Sequence, residues 1–119
     1  MDNRIRRFKD LKVWQKGIEL VKEIYEITKD FPKDEQYGLS TQMRRAAVSI
    51  PSNIAEGFKR MHAKEHKQFL NIALGSCAEL ETQVIIAKEL NYIRSDKEAI
   101  LVEVIDHICG MTVNLHKKL

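Results

Sequence analysis

The stretch AKEHKQFLNIALGSCAELETQVIIAKEL, residues 63–90, decides how this chain folds. Within it His66, Leu70, Ala73, Cys77, Leu80, Val84 and Ala87 recur at alternating three- and four-residue spacing. That period belongs to a long helix burying one seam against its neighbours.

On its N-terminal side two further helices are predicted. The first spans about residues 11–29, where Leu11, Trp14, Ile18, Val21, Tyr25 and Thr28 keep helical spacing, Asp10 is placed to cap it and Phe31-Pro32 stops it. The second spans about residues 33–57, opening after Pro32 and carrying Leu39, Met43, Ala46, Ala47 and Ile50 to one side. Pro51 removes a backbone donor inside it, and the reading adopted is a kink there with the helix continuing to Gly57. On the C-terminal side Asn91 to Arg94 form a connector. Ser95 and Glu98 have the spacing of a capping box, opening a fourth helix over about residues 96–117 with Leu101, Val104, Ile108 and Leu115. Short gaps make successive helices antiparallel neighbours, so the expected fold is all-α, an up-down-up-down four-helix bundle formed by residues 1–119 as one domain.

Composition agrees with that reading. The 119 residues are 44% hydrophobic and 31% charged with only 5 Gly and 2 Pro, which excludes disorder and turn-rich β architecture. No N-terminal apolar core suggests a secretion signal, and no stretch approaches the ~18 apolar residues needed to cross a bilayer, so no membrane span is expected. Cys77 and Cys109 lie in apolar helical pattern and read as buried thiols, and the expected location is the cytoplasm.

The third helix also holds Phe69, Ile72, Leu74, Ile85 and Ile86, and the fourth Ile100, Val102 and Ile105, more apolar surface than one buried stripe requires. A second buried face, and so a homo-oligomer, is expected, with Ala73, Gly75, Ser76 and Ala78 small enough to admit a neighbouring helix.

Enzymatic chemistry finds little support. His62, Glu65 and His66 match the His-x-x-Glu-His zinc pattern, but they sit among Lys59, Arg60, Lys64 and Lys67 with no third ligand and read as a solvated helix start. No His has Glu three residues before it, as a di-iron bundle requires, and the single glycines make no phosphate loop. No metal, no cofactor and no catalytic residue is expected.

Two polar sets remain. Arg44, Arg45, Asn53 and Glu56 stand among apolar positions of the second helix, with Glu79 and Gln83 as prospective partners of the arginines across the interface with the third helix. They read as a structural polar network fixing helix register. The second set is basic: Arg4, Arg6, Arg7, Lys9 and Lys12 at the start, Lys59, Arg60, Lys64 and Lys67 near residues 58–67, and Lys117 and Lys118 at the end. In an up-down bundle these meet at one end. Arg6, Arg7, Lys9, Lys59, Arg60 and Lys64 are the candidate phosphate contacts for RNA or DNA. The net charge of +3 is small for one chain. The alternative reading is a protein-interaction scaffold or adaptor for a nucleic-acid enzyme, with no nucleic-acid contact of its own.

YGLSTQMRRAAVSIPSNIAEG, residues 37–57, closely resembles the 23S ribosomal-RNA intervening-sequence protein family, with supporting matches in FKDLKVWQK, residues 8–16, and FLNIALGSCAELETQ, residues 69–83. The resemblance implies a left-handed up-down bundle assembling into ring-like oligomers, pentamers above all, in bacterial proteins whose biochemical role is poorly defined. A similar bundle, the accessory variability determinant of diversity-generating retroelements, forms a basic pentameric barrel that binds nucleic acid. That likeness adds weight to the nucleic-acid reading.

Overall fold

The computed structural model describes residues 5–119. Four helices carry the fold: α1 Lys12–Thr28, α2 Leu39–Phe58, α3 Ala63–Glu89 and α4 Ser95–Lys117. Short 3-10 turns at Phe8–Asp10 and Lys33–Glu35 precede α1 and α2, and among the described residues there is no strand. Each helix packs on its sequence neighbour, and α1 meets α4 more sparsely.

The helix ends are made differently from the sequence expectation. Asp10 closes the first 3-10 turn instead of capping α1, whose N-cap is Leu11, and the Gln15 side-chain amide donates to the Lys9 carbonyl at 2.9 Å. Helix α2 begins at Leu39, six residues later than the predicted start, because Lys33–Glu35 forms its own turn. That turn places the Glu35 carboxylate to accept the Leu39 N–H at 3.1 Å, a remote side chain satisfying a free amide at the helix start. The Ser95 capping box does not form: Ser95 is the first helical residue, Arg94 is the N-cap, and no side chain caps the end. Helix α3 ends on Asn91 at φ 63°, with the Tyr92 N–H donating to the Ala87 carbonyl at 2.8 Å and the Asn91 N–H to that of Lys88 at 2.9 Å. This is a Schellman closure, and asparagine is among the few residues that take left-handed backbone readily.

Helix α2 runs through Pro51 without a break. The ring faces Gly17 of α1: a Cβ added there would lie 3.2 Å from the proline Cβ. A glycine thus lets α1 sit directly on the proline. Gly57 does the same for α2 and α3, since a Cβ there would come within 2.8 Å of the His66 ring and 3.1 Å of its carbonyl oxygen.

The α3 seam is buried throughout, and in α2 Met43, Ala46, Ala47 and Ile50 are buried as expected. Helix α1 differs. Its buried face is Val13, Gly17, Leu20, Ile24 and Thr28, which meets the predicted stripe at Thr28 and otherwise lies one residue round from it, and Ile18 and Tyr25 are exposed. In α4 the core takes Leu101, Ile105, Ile108 and Thr112, leaving Val104 exposed. Both helices carry adjacent apolar stripes, and the close approach at Gly17 selects which one α1 turns inward.

Of the surplus apolar residues Ile72, Ile85, Ile86 and Ile100 are exposed and Phe69, Leu74 and Val102 half-buried, whereas Ile105 belongs to the core. Against the expectation that no stretch is apolar enough, α3 and α4 each reach the length and composition that could cross a bilayer. Both are packed in the bundle, and core helices commonly reach the same composition.

Candidate nucleic-acid interface

The residues before α1 fold back onto the α2–α3 connection. The Phe8 ring packs edge-on against Trp14 with centroids 5.4 Å apart, and Lys59 Nζ lies 5.7 Å from the Phe8 centroid. This anchoring turns a basic sequence into a basic cleft of about 570 Å³, lined by Arg6, Arg7, Phe8, Lys9, Phe58 and Lys59. Four of the six candidate phosphate contacts are therefore brought together. The two aromatics on its wall were not among the candidate contacts, though each stands directly beside a cation in the chain, at Arg7-Phe8-Lys9 and Phe58-Lys59.

Arg60 and Lys64 are not in this cleft. Arg60 pairs with Glu56 at 3.2 Å and lies over the Phe69 ring at 4.7 Å, so its charge is already partly spent. Lys64 is exposed near the start of α3. Arg7 is 3.5 Å from Asp10, an exposed pair that costs little to break. Lys12 and Lys118 line a second cleft of about 240 Å³, which puts the end of α4 beside the start of α1. Arg4 lies outside the described residues.

The polar set on α2 resolves into separate groups rather than one network. Arg44 turns to α1, not α3: its Nε donates to Thr28 Oγ1 at 2.8 Å and its guanidinium lies 4.6 Å from the Tyr25 centroid. Arg45 is exposed and makes no ion pair among the described residues. Asn53 donates to the Ser49 carbonyl at 2.8 Å and to its hydroxyl at 2.9 Å, and Ser49 meets Ser76 of α3 at 2.7 Å. These serines, not the arginines, make the polar link between α2 and α3. Glu56 goes to Arg60, and Gln83 Nε2 donates to Glu79 at 3.2 Å while its own buried Oε1 has no partner. Tyr25, Thr41, Arg44, Arg45, Val48 and Ser49 line a further cleft of about 520 Å³ between α1 and α2.

His66 follows the buried α3 seam and not the solvated helix start of the zinc-pattern reading. It is 9% exposed, pressed under Gly57 and edge-on to Phe58 at 6.5 Å, and its Nε2 has no hydrogen-bond partner. Burial, with a smaller push from His116, holds its pKa below the ordinary imidazole value, so the ring is neutral. His62 and Glu65 are exposed, and no group of three or more His, Cys, Asp or Glu among the described residues is arranged to hold a metal. Cys77 and Cys109 are free thiols, and burial pushes the Cys77 pKa up to about 12, which keeps it protonated.

The fold and these placements meet in one comparison: the family model of the 23S rRNA-intervening sequence protein matches residues 9–114. The chain belongs to this family. A crystal structure of a protein with unknown function from the S23 ribosomal protein family of Bacteroides thetaiotaomicron shares its fold. The TM-score is 0.82 at 23% identity, over 88% of this chain and 95% of the other. No curated protein matches. In this family member the basic cleft therefore joins the family-matched core to residues just before its matched span, since Arg6, Arg7 and Phe8 precede residue 9.

Proposed function

We propose that this intervening-sequence family protein is a non-enzymatic, ring-forming four-helix bundle that binds nucleic acid, RNA foremost, through its basic end in the cytoplasm. The observation that carries the reading is the cleft in which Arg6, Arg7, Lys9 and Lys59 surround Phe8 and Phe58. Cations beside aromatic faces suit unpaired nucleotides, the cations taking phosphates and the rings offering stacking surfaces. Exposed isoleucines on α3 and α4 support assembly, since apolar residues beside a filled core seek a second partner. A ring of five would raise the net charge to about +15, multiplying a modest patch into a strong field.

The test is fluorescence anisotropy with structured and single-stranded RNA across a salt series, together with light-scattering mass. Affinity should fall steeply with salt, as counterion release demands. Absence of binding at low salt refutes the nucleic-acid reading.

A further inference from the structure

Ile72, Glu79 and Ile86 follow at intervals of seven residues, so they line up along one outer side of α3 over about 21 Å. Ile72 is 51% and Ile86 42% exposed, and Gly75 between them has no atom within 4 Å of where a Cβ would stand. The row is apolar and close-packable, and its one charge is acidic. Gln83 holds the Glu79 carboxylate at 3.2 Å, which fixes it in place without neutralising it.

The cleft between α1 and α2 is the counterpart. Tyr25 is 41% and Val48 40% exposed on its wall, and its charged residues, Arg44 and Arg45, are both basic. Arg44 is committed to Thr28 and Tyr25, whereas Arg45 is exposed and unpaired among the described residues. An apolar face with an unmatched acid and an apolar cleft with an unmatched base occur on the same molecule.

We infer that the α3 row of one copy docks into the α1–α2 cleft of the next, with Glu79 meeting Arg45 of the neighbour and Ile72 and Ile86 covering Val48 and Tyr25. With the row of each copy engaging one neighbour and its cleft another, the contact is head-to-tail and propagates into a closed ring or a filament. It explains why the pair that the sequence suggests within one chain is not made there. This inference rests on the ring-forming reading and gives that ring its interface.

The experiment is light-scattering mass of the full chain and two charge reversals, Arg45→Glu and Glu79→Arg, alone and mixed. Both sites are exposed, and circular dichroism verifies that each variant is folded. The wild type should be an assembly, each variant should fall to monomer mass, and an equimolar mixture should regain mass above monomer, as open or even-numbered assemblies in which the two variants alternate. Mixing works only between chains, because a contact between the two different variants has either the native or the reversed pair, whereas one between two copies of the same variant sets like charges together. A wild-type monomer refutes the ring itself. A wild-type assembly whose variants keep full mass refutes this interface alone. Recovery in the Arg45→Glu/Glu79→Arg double variant with no mass above monomer on mixing places the pair within one chain and also overturns the proposal.

Discussion

The Tyr92 hydroxyl donates to the Glu35 carboxylate at 2.8 Å, across 57 residues, while the other oxygen of that carboxylate accepts the first amide of α2. One side chain thus ties the α3–α4 connector to the start of α2, and the Phe31 ring, 5.2 Å from that of Tyr92, packs the same junction. The Leu39 amide, then the Tyr92 hydroxyl, hold the Glu35 pKa below its ordinary value. A carboxylate with a lowered folded pKa contributes stability above its unfolded pKa and loses it as pH falls through the folded one. The hydroxyl's pKa is raised, so its share is present below the ordinary phenol value and lost as pH rises through the folded one. Thermal melts of Tyr92→Phe should show a lower Tm at neutral pH, and Glu35→Gln should flatten the acid limb. An unchanged acid limb in Glu35→Gln would remove Glu35 from the account.

Gly57→Ala should destabilise by about 1–3 kcal/mol, because the new methyl meets the His66 carbonyl and Phe69 Cβ, each at 3.1 Å, and the former is backbone. Gly110→Ala meets nothing within 4 Å on exposed α4 and should gain about 0.5–1 kcal/mol from helix propensity. Urea midpoints of the two variants check the opposite signs.

His66 gives the bundle an acid-sensitive joint at its basic end. Its pKa is lowered, so it contributes stability above the ordinary imidazole pKa and loses it as pH falls through the folded value. His66→Leu should lessen the loss of stability between neutral and mildly acidic pH, read as Tm against pH. A slope as steep as the wild type's would place the acid sensitivity elsewhere.

Across α3 and α4, Glu81 and Asp106 face each other as two carboxyls. The hydrogen bond to Asp106, then desolvation and the neighbouring charge, raise the Glu81 pKa. A raised pKa contributes stability at acid pH that is lost as pH rises through the folded value. Glu81→Gln should therefore raise Tm at neutral pH and leave it little changed in acid. A lower neutral Tm would mean that the pair is held by something other than a shared proton.

Lys59→Ala and Arg60→Ala separate the cleft from its surroundings. Lys59 stands in the cleft beside Phe8, whereas Arg60 is occupied by Glu56 and Phe69. In anisotropy across a salt series, Lys59→Ala should weaken RNA binding and reduce the salt slope by about 1. Arg60→Ala should change the slope less. Equal effects would show that Arg60 leaves its intramolecular contacts to bind.

What the chain alone determined is most plain in α3. Its apolar residues keep one period over 27 helical residues, and the buried seam lies where that period puts it. The all-α class and the basic clusters were equally readable, being matters of composition and spacing. Tertiary structure decided the rest. Helix α1 carries two neighbouring apolar stripes, and only contact with Pro51 through Gly17 settles which one turns inward. Arg44 reaches Thr28 rather than Glu79 because a long side chain chooses among partners that only packing brings near. Phe8 and Phe58 share a cleft because the chain before α1 folds back onto the end of α2, a long-range approach that periodicity does not encode. Local spacing specifies which residues can be buried together, and the docking of helices selects which of them are.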